Sequence, residues 1–173
     1  MGLYAIYIAE WRRSISSGSY QDLVVKKEDV MSELFNEKQI KGITTELICM
    51  QKFIELGYIV SVPYGNNSRY DLLVDNGQSI WKVQCKTASL NENGSYTIQT
   101  CNKVSTTTQR KTKHYTKEQI DFIASIINNQ LVIIPVEFVE NSTSKVFRIE
   151  PPRYGSKSTC NLIQDFTAEK YLI

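Results

Sequence analysis

Histidine is nearly absent from this chain: its 173 residues hold a single one, His114. None of the four cysteines, Cys49, Cys85, Cys101 and Cys160, stands in a Cys-x-x-Cys pair. Together these scarcities exclude the ligand spacing of a zinc finger or zinc ribbon. No apolar run approaches the roughly 18 residues that a membrane-spanning helix needs, so no membrane association is expected. The apolar stretch at residues 3–9 is short, has no basic residues before it, and runs into Glu10, Trp11, Arg12 and Arg13, unlike a secretory signal. Gly2 has Ile6 where a myristoylation signal needs Ser or Thr. Free thiols in an intracellular protein are therefore expected rather than a disulfide framework. The expected location is the cytoplasm, at the nucleoid or in a host cell if the gene is phage-borne.

Strong charge is also missing. A net charge of +2 does not announce a nucleic-acid binder. The distribution says more, since Lys103, Arg110, Lys111, Lys113 and Lys117 fall within one stretch that holds no acid. Such a patch suits phosphate contact, and equally a solvated loop. The rest of the composition, 42% hydrophobic and 22% charged, is that of one compact globular domain.

Residues 1–41 read as an N-terminal extension, with an apolar-aromatic stretch at 3–11 and a helical pattern at 27–38. Residues 42–173 carry the more informative pattern. A helix is expected over 43–56, with Ile43, Leu47, Met50 and Ile54 on its buried stripe and Gly57 ending it. Strands are expected at 58–63, 70–75 and 78–87, the last two joined by the two-residue turn Asn76-Gly77. Further strands follow at 95–101, 130–138 and 145–149, with a polar basic loop at 106–113. Thr116-Lys117-Glu118-Gln119 matches a capping box and predicts a helix to about residue 128. A last helical turn or two falls at 167–172. This is a mixed α/β domain.

The turn at Asn76-Gly77 sets a register in which Asp75 pairs with Gln78 and Asp71 lies opposite Lys82. Residues two apart share a face, so Asp71 shares one with Lys82, Gln84 and Lys86, and Gln84 is its diagonal neighbour. Trp81, Val83, Cys85 and Thr87 point to the other, core-facing side. Mg²⁺ takes hard oxygen ligands. Asp71 offers a carboxylate, Gln84 an amide oxygen and Cys85 its backbone carbonyl, while Glu46 could reach in from the helix. Lys86 could hold a phosphate or orient a water. Blander readings stand beside this one: a cross-strand ion pair of Asp71 with Lys82, a surface Glu46 and a solvated Gln84. Arg69, Lys82, Arg110, Lys111, Lys113, His114 and Lys117 are candidates for DNA phosphate contacts.

The run Gly42-Ile43-Thr44-Thr45-Glu46, then Asp71, then Gln84-Cys85-Lys86, resembles the PD-(D/E)XK nuclease superfamily. It is most similar to the Q-x-K branch of homing and resolvase-like endonucleases. Gly57-Tyr58, Val60, Tyr115, Ile120-Asp121-Phe122 and Ile134-Pro135 fit the same branch. The resemblance covers about residues 42–173. It implies a restriction-endonuclease-like fold, a mixed sheet flanked by helices. It also implies Mg²⁺-dependent hydrolysis of double-stranded DNA, with Mn²⁺ as a substitute, and a homo-oligomer, dimer or tetramer. Asp71 then matches the metal-binding aspartate, Lys86 the catalytic lysine, Gln84 the middle motif position and Glu46 the helix glutamate. Gln84 in place of a carboxylate removes one negative charge. That departure motivates the alternative, a non-catalytic protein of this fold that binds nucleic acid or inhibits a host defence system.

Overall fold

The computed structural model describes residues 36–65, 68–105, 110–152 and 160–172. The apolar-aromatic stretch at 3–11, nearly all of the helical pattern at 27–38 and the threonine run at 106–108 lie outside these residues. Helix α1 spans Glu37–Glu55 and starts earlier than the apolar pattern predicts. The signal for its start is a reciprocal cap. The Gln39 N–H donates to Asn36 Oδ1 at 3.0 Å, and the Asn36 N–H donates to Gln39 Oε1 at 3.1 Å. It ends at Gly57, whose φ of 88° suits glycine. There the Tyr58 N–H donates to the Phe53 carbonyl and the Gly57 N–H to the Ile54 carbonyl, which closes a Schellman motif.

The expected stripe of α1 is not the buried one. Thr45, Cys49 and Phe53, spaced at i, i+4 and i+8, face the core. Ile43, Leu47 and Ile54 are exposed, and Met50 is only partly covered. Counting apolar residues misplaced the face because a threonine and a cysteine form part of it. Thr45 is held there by its hydroxyl, which approaches that of Thr87 at 2.8 Å and donates to the Lys41 carbonyl at 2.8 Å.

The central sheet has the order β1-β2-β3-β8-β9. Its strands are β1 (Ile59–Ser61), β2 (Leu72–Asp75), β3 (Ile80–Cys85), β8 (Phe122–Ile127) and β9 (Gln130–Pro135). Neighbours are antiparallel except β3 and β8, which run parallel. Between those two strands the chain builds β4 (Ala88–Leu90), β5 (Tyr96–Gln99), β6 (Cys101–Ser105) and β7 (Arg110–His114). β6 and β7 form a separate antiparallel hairpin. The second sheet, β11-β10-β5-β4, adds β10 (Ser144–Arg148) and β11 (Asn161–Leu162). A short helix α2 covers Ala168–Tyr171.

Alternation along β8 and β9 divides the core into two layers. Phe122, Ala124 and Ile133 pack with Cys49 and Phe53 of α1 and with Ala168 and Leu172. On this face an edge-to-face aromatic series crosses the strands from Phe53 through Tyr58 and Trp81 to Phe122, with centroids 6.2–6.4 Å apart. Ile123, Ile127, Val132 and Ile134 pack on the opposite face with Ile98 and Phe147 of the second sheet. The fold is thus the mixed α/β, restriction-endonuclease-like type that the resemblance implied. Its helices lie on one face of the central sheet, and a second sheet covers the other.

Two further expectations fail, and a third in part: residues 110–113, expected as loop, belong to β7. No helix follows Thr116. The capping signal yields one turn, in which the Gln119 and Ile120 N–H groups donate to the Thr116 carbonyl. Residues 122–127 then form β8, an interior strand of the central sheet that is almost wholly buried. Burial on both faces makes a continuous run of β-branched and aromatic residues look nonperiodic, and it overrides the cap. The Asn76-Gly77 hairpin also differs. Asp75 pairs with Ile80, so the connection is the four residues 76–79. Asn76 Oδ1 accepts the N–H groups of Gln78 at 2.9 Å and Ser79 at 2.8 Å, and this side-chain turn outcompetes the tighter one. The two-residue, left-handed turn occurs instead at Asn128-Asn129, with φ of 49° and 60°, between paired Ile127 and Gln130.

The face assignment of α1 predicts a contrast in stability. Phe53→Ala should cost about 3–5 kcal/mol. Leu47→Ala, on the exposed side, should change stability by no more than about 0.5 kcal/mol. Urea denaturation of the two variants measures both.

Candidate active site

The register of β2 and β3 builds the site. Leu72 faces Val83 across the ladder. Just beyond it, the Asp71 N–H donates to the Val83 carbonyl at 2.8 Å. Asp71 therefore stands by Gln84, not opposite Lys82 as the two-residue turn implied. The slip is two residues, an even number, so every side chain keeps its predicted face. One Asp71 carboxylate oxygen, Oδ2, accepts the Cys85 N–H at 2.7 Å. The same oxygen accepts a short bond from the Gln84 side-chain amide. That amide nitrogen also reaches the Cys85 carbonyl at 3.4 Å.

Lys86 follows directly. The strand ends at Cys85, but the Lys86 N–H still donates to the Ala124 carbonyl of β8 at 2.9 Å. The Lys86 ammonium donates to Asn102 Oδ1 at 2.9 Å and lies 5.4 Å from the centre of the Tyr115 ring. Thr87, expected in the core, is exposed but carries the hydroxyl that meets Thr45. This contact joins the chain positions adjacent to Lys86 and to Glu46, and so seats the glutamate of α1 beside the lysine of the hairpin. Asn102 belongs to no motif in the sequence, and Thr45 and Tyr115, which fall within the family-like stretches, carry no chemistry there by themselves. Asn102 meets Lys86 only through the fold of the β6–β7 hairpin.

The electrostatics agree with this proximity. Burial raises the Asp71 carboxyl above the ordinary carboxylate range, against the Cys85 N–H and the charge of Lys86, which lower it. Glu46 is raised as well, by burial first and then by the negative charge of Asp71, while Lys86 pulls it down. Burial lowers Lys86, and the charges of Asp71 and Glu46 oppose that fall. Glu46 and Lys86 each respond to the other two groups, and Asp71 responds to Lys86, as interacting groups in one site do. The Cys85 thiol is pushed up by its hydrogen bond with Cys49 and by burial, which keeps it protonated and leaves the backbone carbonyl as the donor this residue can offer.

Among the described residues no three His, Cys, Asp or Glu side chains gather as a metal cluster. The donor set at hand is two carboxylates, one amide and one carbonyl. It suits a hard cation in one respect that the bonds display. The Gln84 NH₂ group, the positive end of the amide dipole, lies between Asp71 Oδ2 and the Cys85 carbonyl. Each of these oxygens would lose that donor if the amide turned. Rotation of the amide would offer a third oxygen to an ion at that point.

The remaining candidates divide. Arg69, Asn102, Lys113, His114, Tyr115 and Gln119 line a cavity of about 200 Å³ beside Lys86. His114 Nδ1 lies 3.2 Å from the Ser142 carbonyl, an acceptor only, so that nitrogen carries the proton. Arg110 and Lys111 lie on β7 with Lys113. Lys82 and Lys117 are engaged elsewhere. The Lys82 ammonium donates to the Glu118 carbonyl at 2.7 Å, and Lys117 pairs with Glu137 at 2.6 Å. Asp121 proves to be a tie between strands. Its carboxylate accepts the Lys82 N–H at 2.7 Å, and its own N–H donates to the Lys82 carbonyl at 2.8 Å.

A model of the PD-(D/E)XK endonuclease family matches residues 35–169, and the chain belongs to that family. Among solved structures it is similar to that of a bacterial homing endonuclease, I-Ssp6803I. The two are 18% identical, with 71% of this chain and 87% of the other covered and a TM-score of 0.62, a likeness that shows a shared fold. No curated protein matches the chain.

Burial of Asp71 has a consequence for stability. Because its value is raised on folding, the folded state holds the proton more tightly than the unfolded chain does. The stabilisation this brings is fully present below the unfolded value and is lost as pH rises through the folded one. At neutral pH the ionised carboxylate therefore costs stability. Asp71→Asn should raise the urea midpoint at pH 7, and the advantage should shrink as pH is lowered into the ordinary carboxylate range. Denaturation curves at the two pH values check this.

Proposed function

We propose that the chain is a Mg²⁺-dependent endonuclease that hydrolyses phosphodiester bonds of double-stranded DNA, in a homing or resolvase-like role. One observation carries the reading. Asp71, Gln84 and the Cys85 carbonyl meet at one end of a hairpin, with Lys86 next in the chain and Glu46 coupled electrostatically to both Asp71 and Lys86. Asp71, Gln84 through its amide oxygen, the Cys85 carbonyl and Glu46 would hold Mg²⁺, with Mn²⁺ as a substitute. The ion, when bound, supplies Lewis-acid stabilisation of the charge that builds on the phosphate.

The chain's own residues do the rest. The Lys86 ammonium offers positive charge and N–H donors to a scissile phosphate oxygen. Its N–H groups would also orient the attacking water, and Glu46, whose proton affinity is raised by its surroundings, would accept the proton that water gives up. Arg69 and Lys113, beside the cavity, and the basic residues of β7 would hold neighbouring phosphates, which gives affinity and register rather than sequence reading. Self-association as a dimer or tetramer belongs to the same proposal. Ile43, Leu47 and Ile54, exposed on α1, supply apolar surface for it.

A second reading has one observation in its favour. The Gln84 amide satisfies Asp71 without an ion. A protein that bound DNA through the β6–β7 hairpin without turnover would keep that bond in place. No helix among the described residues is long and apolar enough to cross a membrane, in keeping with either reading.

The test is cleavage of a panel holding supercoiled plasmid, linear duplex and a four-way junction, with Mg²⁺ or Mn²⁺. Wild type should cut at least one substrate, and Lys86→Ala should cut it at least about 100-fold more slowly. DNA binding without any cutting across the panel favours the second reading. Lys113→Ala should weaken binding about equally for all sequences and reduce the slope of log affinity against log salt by about one unit. Filter binding across a salt series measures it.

A further inference from the structure

Asn102 stands outside the family's motif positions, yet it is the side-chain partner of the lysine. Its Oδ1 accepts from Lys86 Nζ at 2.9 Å and from the Tyr115 hydroxyl at 2.6 Å. The orientation of the amide follows from chemistry, because an ammonium can only donate and so must meet the oxygen. We propose that Asn102 is a positioning residue for Lys86, its oxygen braced by Tyr115 so that the ammonium is held in place beside Asp71. The proposal rests on the nuclease reading above and goes beyond it in naming what aims the lysine.

Three observations support the brace. First, the acceptor is neutral. Among the described residues no carboxylate lies within 4.0 Å of Lys86 Nζ. An amide oxygen fixes a flexible four-carbon side chain without neutralising its charge, which stays available to a phosphate. A carboxylate in that position would hold the lysine equally well and cancel the charge. Second, the support is itself rooted. Asn102 pairs with Lys113 across the β6–β7 ladder. The adjoining Thr100 donates its N–H to the Thr143 carbonyl at 3.0 Å and its hydroxyl to the Ser142 carbonyl at 2.8 Å, and both Thr100 and Cys101 are buried. Third, Tyr115 acts twice. Its hydroxyl donates to Asn102 while its ring lies under the same ammonium. Two contacts from one buried ring leave little freedom for the lysine head group.

The experiment uses the full-length chain and two readouts. One is the order parameter of the Lys86 13Cε–H group by NMR relaxation, which needs no DNA and no activity. The other is the single-turnover cleavage rate beside DNA affinity. Asn102→Leu keeps the volume and removes the acceptor. It should lower the Lys86 order parameter and slow cleavage about tenfold or more, with affinity within about twofold of wild type. Asn102→Asp restores an acceptor and should recover the order of Lys86 but not the full rate, since it neutralises the charge. An unchanged Lys86 order parameter in Asn102→Leu overturns the proposal. So does a loss of affinity that accounts for the whole loss of rate, because Asn102 would then contact DNA directly. Should Asn102→Leu fail to fold, Tyr115→Phe removes only the hydroxyl. It should loosen Lys86 partly, and wild-type order in that variant overturns the brace. If wild type cleaves nothing, the nuclease reading fails, and the order parameter still decides whether Asn102 holds Lys86.

Discussion

The site depends on one half-buried oxygen. Asp71 Oδ2 accepts the Cys85 N–H and the Gln84 amide together, at the point where β2 gives way to the preceding loop. That pair of bonds fixes the aspartate against β3, brings the Cys85 carbonyl alongside, and leaves Lys86 as the next residue out. A carboxylate so placed is half-desolvated, which raises its proton affinity and makes it costly to the fold at neutral pH. Sites that hold such a cost are commonly those where a bound ion or substrate offsets it.

The helix contributes through packing and one hydroxyl pair. Phe53 and Cys49 seat α1 on the sheet, and Thr45 fixes its rotation by meeting Thr87. Rotation about the helix axis is what decides whether Glu46 faces Asp71 or solvent. A stripe of Ile43, Leu47 and Ile54 against the core would have turned Glu46 away from its present setting. The choice of threonine and cysteine for the buried face thus sets where Glu46 stands.

How much of this was legible follows from the range of each interaction. The hairpin and its Asp71, Gln84 and Lys86 face were readable because strand alternation is local and survives a register slip of two. The family was readable from the same short motif and the residues around it. β8 was misread because a strand buried on both faces has no period-two signature, and Thr116 with Glu118 and Gln119 offered a plausible cap. The buried stripe of α1 was misread because Thr45 is held there by a partner 42 residues away. Asn102 was not read at all. Its contact with Lys86 spans β4 and β5 and arises only once the β6–β7 hairpin is in place.

The central claim is that the Asp71 carboxylate serves as a metal ligand. Calorimetric titration of Mn²⁺ into wild type and into Asp71→Asn, at neutral pH and without DNA, tests it most directly. The account predicts binding to wild type that is lost or weakened at least about tenfold in the variant, whose fold remains intact. Equal Mn²⁺ affinity in the two proteins, or none in wild type, would contradict it.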